Sequence, residues 1–130
     1  MDIFRIGFAG LLFSSVLMSC GEEPQSDVEE QPQSATYKDI LARNIERTIT
    51  LPDGAYAMDE YARIYFLASN GVVHALYITF EEPQFKVGKS VWVDDENAFP
   101  LILDGGCSVV SVVYKIETGS FISVCCNGVA

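Results

Sequence analysis

The rhythm of hydrophobic and polar positions changes three times along this chain. An uncharged apolar run covers Ile6 to Leu17, and from Gly21 to about Ser34 apolar residues nearly vanish. Tyr37, Ile40, Leu41, Asn44, Ile45 and Thr48 then recur at i, i+3, i+4, i+7, i+8 and i+11, a stripe that predicts one amphipathic helix. Thr36 is placed to cap it, with Asp39 three residues on to return the bond. Leu51-Pro52-Asp53-Gly54 reads as the turn that stops it.

Beyond that turn the pattern is β. Tyr61 to Ala68 is aromatic and branched, Ser69-Asn70-Gly71 is a hairpin turn, and Val72 to Phe80 is the returning strand, ended by Glu81-Glu82-Pro83. A shorter strand is predicted from Phe85 to Val93 with Gly88 as a kink or turn, and Asp94 to Pro100 as a loop or single helical turn. A second hairpin follows, from Ser108 to Ile116, through Glu117-Thr118-Gly119, to Ser120 to Cys126. These elements predict an α+β domain in which one N-terminal helix packs on a twisted antiparallel sheet of about five strands.

The run from Ile6 to Leu17 is too short to span a bilayer and has the length of a signal-peptide core, with Arg5 as its positive flank. It ends in Leu17-Met18-Ser19-Cys20, and this segment resembles bacterial lipoprotein signals, which need Leu at −3, a small residue at −1 and Cys at +1. The resemblance implies that Met1 to Ser19 are removed and that the Cys20 thiol receives a diacylglyceryl group. The membrane partner is then reached through lipid, and the protein sits in the cell envelope, facing the periplasm or the surface. Each buried methylene contributes about 0.8 kcal/mol, so two or three acyl chains anchor stably where one does not. By the same resemblance, Gly21 in place of Asp implies sorting to the outer membrane.

Composition then divides the chain into residues 1–19, a signal; 20–34, a lipidated acidic tether; and 35–130, one domain. The tether carries Glu22, Glu23, Asp27, Glu29 and Glu30 with no positive charge, plus Pro24 and Pro32, and cannot bury enough apolar surface to order itself. Fully extended, it would reach at most about 50 Å. The domain holds twelve acidic against seven basic residues, within a chain of net charge −10. That balance argues against a nucleic-acid partner and against electrostatic attachment to anionic lipid.

Candidate chemistry is sparse. The lone histidine, His74, lies mid-strand with no Ser or Cys nearby in sequence to act as a nucleophile. Cys107 and Cys125-Cys126 form no C-x-x-C unit, and Asp94-Asp95-Glu96-Asn97 lacks the alternation of a calcium loop, so neither a metal nor another cofactor is expected. In an oxidising compartment the cysteines read as structure. Cys107–Cys126 is the preferred pair, stapling the second hairpin, with Cys125 expected as a small buried residue. Ideal register around Thr118-Gly119 would set Cys107 opposite Ala130, so the bridge requires a bulge, or a bend at Gly105-Gly106.

One strand face offers a candidate partner-binding surface. Tyr61, Arg63, Tyr65 and Leu67 alternate onto one side, where Tyr77 of the returning strand can join them. Arginine between tyrosines is hot-spot composition; the competing readings are a face covered by the helix or the tether, with Arg63 snorkelling, or a solvated cross-strand cluster. Together with Tyr61-Ala62-Arg63-Ile64-Tyr65, the strings Asp104-Gly105-Gly106-Cys107 and Cys126-Asn127-Gly128-Val129-Ala130 are similar to small proteobacterial lipoproteins from about Leu51 onward. That resemblance implies no activity. The expectation is a lipid-anchored envelope protein with a non-catalytic binding or structural role, contacting another envelope protein. A small envelope enzyme or a glycan-binding module is the alternative.

Overall fold

A computed structural model describes residues 35–128. Helix α1 (Tyr37–Thr48) starts as its capping signal implies: Asp39 N–H donates to Thr36 Oγ1 at 3.2 Å, and Thr36 N–H and Oγ1–H donate to Asp39 Oδ2 at 3.0 and 2.7 Å. These bonds hold the Asp39 carboxyl below its ordinary value. The buried stripe, however, is the predicted one moved on by one residue. Leu41, Ala42 and Ile45 are buried, Lys38, Glu46 and Ile49 half-buried, while Tyr37, Ile40, Asn44 and Thr48 face solvent. One residue is about 100° of helix, and that roll places small Ala42 against the tyrosine layer beneath.

The strands are β1 (Ala62–Leu67), β2 (Val72–Ile78), β3 (Ser90–Val93), β4 (Gly106–Lys115) and β5 (Ser120–Asn127), in the order β3-β1-β2-β4-β5. Both hairpins form where their turn signals stand, with Ala68 N–H bonded to Val72 O and Gly119 N–H to Ile116 O. The sheet is mixed rather than antiparallel, because β3 runs parallel to β1. The reason is the connection after β2. It crosses the start of β1, where Gly88 N–H bonds Tyr61 O and Arg63 N–H bonds Lys89 O, so β3 leaves from the end where β1 began. The predicted strand from Phe85 is shorter accordingly: Phe85 belongs to the crossing loop and is buried.

Both faces of the sheet are covered. On one, α1 packs over Tyr61, Tyr65, Tyr77, Val73, Ala75, Val110, Val112 and Tyr114. On the other, Ala62, Ile64, Leu76, Ile78 and Val109 lie under Phe85, Phe99 and Ile102. The segment 94–105 supplies that second cover by running lengthwise, from the end of β3 back to the start of β4.

Cys107 and Cys126 form a disulfide. Two departures from ideal register permit it. A four-residue turn joins Lys115 to Ser120, and the ladder slips between Val110 and Gly106; together they outweigh an opposite shift near Ile122 and bring Cys107 back from its ideal partner to Cys126. Gly106 has φ +52° in this bend, and a Cβ on Gly105 would lie 2.9 Å from Val109 Cγ2, so both positions demand glycine. Cys125 points the other way and is exposed, not buried, because its strand neighbour Cys126 takes the inward position. The predicted signal, Cys20 and the acidic segment, with Val129 and Ala130, lie outside the described residues.

Candidate functional site

The four residues predicted to form a partner-binding face do come together, but beneath the helix. Tyr61, Tyr65 and Tyr77 are fully buried, and the Arg63 side chain is 11% exposed. The face is therefore not free to meet a partner; the alternative of a covered face describes it. Its polar atoms satisfy one another. Glu46 Oε1, from α1, accepts from Arg63 Nε at 2.9 Å, Tyr65 OH at 2.8 Å and Ser90 Oγ at 2.7 Å. With its proton given to Glu46, Tyr65 OH accepts from Tyr77 OH at 2.9 Å. Arg63 Nη1 and Nη2 donate to the carbonyls of Met58 and Gly88. Tyr61 OH donates to Cys107 O at 2.6 Å and accepts from Tyr56 N–H at 2.9 Å, tying the post-helix loop to the disulfide.

Burial pushes the phenols of Tyr61, Tyr65 and Tyr77 up, and at Tyr65 the neighbouring Tyr77 and Glu46 add to the effect. A raised phenol favours the neutral form in the fold. Its stabilisation is complete below the ordinary phenol value of about 10 and is lost as pH rises past it. In an alkaline titration, phenolate absorbance from these three tyrosines is expected to lag behind that of free tyrosine. It then rises together with loss of the β-sheet circular dichroism. Ionisation of all six tyrosines without loss of structure would contradict this burial.

On the opposite face His74 Nδ1 lies 3.6 Å from Glu96 Oε1, with side chains 34% and 58% exposed. A histidine beside a carboxylate is the beginning of acid–base machinery, but here both side chains are partly open to solvent. Among the described residues, no three His, Cys, Asp or Glu side chains gather to hold a metal, and no helix is long and apolar enough to cross a membrane.

The conspicuous free surface lies elsewhere. Leu101 and Leu103 are 88% and 85% exposed, on either side of Ile102, which packs into the second core. The loop is braced: Asn127 Nδ2 donates to Ile102 O at 2.8 Å, and Gly105 abuts Val109. Phe80, also exposed, leaves β2 at the same end, where Ile78 pairs with Val109. Glu81, Glu82 and Asp104 border these apolar side chains in sequence, and none is in an ion pair among the described residues. Lys38 lies over Trp92 and 3.8 Å from Asp94, which puts the start of α1, where the chain enters the domain, at the other end of the sheet.

Sequence reasoning did not single out Leu101, Leu103 or Glu46. Leu-Ile-Leu between Pro100 and Asp104 was a readable signal, apolar residues where a loop is polar; Glu46 carried none, being a charged residue in a helix of many. No protein-family model, no curated protein and no solved structure matches this chain.

Proposed function

We propose that this chain is a lipid-anchored cell-envelope protein with a non-catalytic role, binding another envelope protein through the sheet end that carries Leu101 and Leu103. The observation that carries the binding reading is the exposure of two leucines on a braced loop. Apolar side chains grouped on one exposed stretch, here with Phe80 at the same sheet end, are the kind of surface that marks an interaction site. The flanking acids define the partner's chemistry as an apolar pocket with a basic rim. The anchor reading is supported by Leu17-Met18-Ser19-Cys20, whose resemblance implies lipid on Cys20 and a favoured place on the outer membrane.

The test is photocrosslinking in envelope membranes, with a photoreactive residue at Leu101 or Leu103 of the full-length protein and at Glu117 as control. A single protein adduct from both leucine positions and none from Glu117 is expected. Adducts to lipid alone, or the same adducts from all three positions, would overturn the protein-binding reading.

A further inference from the structure

We propose that Trp92 and Tyr65 form a one-electron redox pair, in which an oxidising equivalent taken up at Trp92 passes to Tyr65 as the Tyr65 phenolic proton moves to Glu46. Trp92 is the chain's one tryptophan. It stands half-buried on the edge strand β3, its ring stacked on that of Tyr65 with centroids 5.0 Å apart and planes 29° from parallel. Packing alone accounts for that contact. The polar groups around the two rings add something packing does not require. Tyr65 OH donates to Glu46 Oε1 at 2.8 Å, within the distance over which a carboxylate takes a proton. Trp92 Nε1 is buried and has no hydrogen-bond partner among the described residues, so nothing there receives its proton.

This difference gives the pair a direction. An oxidised phenol is strongly acidic and persists only as the neutral phenoxyl radical, so its oxidation needs a proton acceptor at hand. An oxidised indole that cannot release its proton stays a radical cation and a strong oxidant. Lys38 Nζ, 5.6 Å from the ring centroid, opposes a positive charge there. The step balances: the indole radical cation takes one electron from Tyr65, and the phenolic proton goes to the Glu46 carboxylate. Trp92 returns to its neutral form, Tyr65 becomes a neutral radical and Glu46 a neutral acid. Tyr77 OH, which donates to Tyr65 OH at 2.9 Å, can then pass its hydrogen atom across, leaving the radical on a second fully buried ring. The oxidant is a small one-electron radical that meets Trp92 from solvent. Neither the anchor nor the leucine end takes part in this chemistry.

The experiment is pulse radiolysis of the full-length protein in detergent micelles, with azide radical as the oxidant at neutral pH. In the wild type, the indole radical absorption is expected to decay into tyrosyl absorption at a first-order rate independent of protein concentration, and more slowly in deuterium oxide. Tyr65→Phe should abolish that phase. Glu46→Gln, whose amide oxygen still accepts from Tyr65 OH but takes no proton, should slow it and remove the isotope effect. Tyr37→Phe and Tyr56→Phe, at exposed tyrosines, should leave it unchanged. Circular dichroism confirms that each variant is folded. An indole radical that decays only by encounters between molecules, or a first-order transfer that survives Tyr65→Phe or Glu46→Gln unchanged, would overturn the proposal.

Discussion

Glu46→Ala is expected to cost about 3–5 kcal/mol of folding stability, the range for removing one partner of a buried ion pair. The side chains of Glu46 and Arg63 are 17% and 11% exposed, so solvent screens them little. The substitution strands the guanidinium against two carbonyls and takes the acceptor from Tyr65 OH and Ser90 Oγ at once. Glu46→Gln should cost less, because an amide oxygen still accepts from the two hydroxyls while leaving Arg63 without its counter-charge. Replacing both partners, Glu46→Leu with Arg63→Met, should recover only the part due to the stranded charge, since Tyr65 OH and Ser90 Oγ still lose their acceptor and the Met58 and Gly88 carbonyls their donor. Urea denaturation of the four proteins measures all of this. If Glu46→Ala shifts stability by no more than a surface substitution does, α1 is not held to the sheet as described.

Removal of the disulfide comes next in size. Cys107→Ser with Cys126→Ser opens a closure of sequence separation 19, worth about 3 kcal/mol in the chain-entropy account. The effect should be local as well as global. The bend of β4 is held to β5 by this bridge, and Tyr61 OH carries the tie onward to Tyr56 through Cys107 O. Hydrogen exchange should therefore quicken in the last residues of β5 and around Tyr56, while the β1–β2 hairpin stays protected. Cys125→Ser, at an exposed position, should leave monomer stability within about 0.5 kcal/mol of wild type. Equal losses from both variants would mean that the bridge is not Cys107–Cys126.

The parts of this fold legible in the sequence are those fixed by neighbours in the chain. The Thr36–Asp39 cap, the Asn70-Gly71 hairpin and the second hairpin are short-range devices, and each stands where its residues predict. The bulge that a Cys107–Cys126 bridge demanded is present for the same reason: counting residues from the turn exposes the mismatch. What was not legible depends on elements meeting at a distance. Tyr37 and Ile40 look as apolar as Leu41 and Ile45, and the choice between two overlapping helix faces was made by the tyrosine layer below, which favoured Ala42. The direction of β3 depended on where the chain after Ile78 crosses β1. Arg63 between tyrosines looks the same in sequence whether it faces a partner or Glu46. Leu101 and Leu103 show the converse, since hydrophobic letters do not tell that only the residue between them is buried.

The central claim is attachment through Cys20, and mass spectrometry of the N-terminal peptide of the protein isolated from envelope membranes tests it most directly. The expected result is a mature chain that begins at Cys20 and carries a diacylglyceryl group on its thiol. A chain that begins elsewhere, or an unmodified Cys20, would contradict it and leave the domain without its anchor.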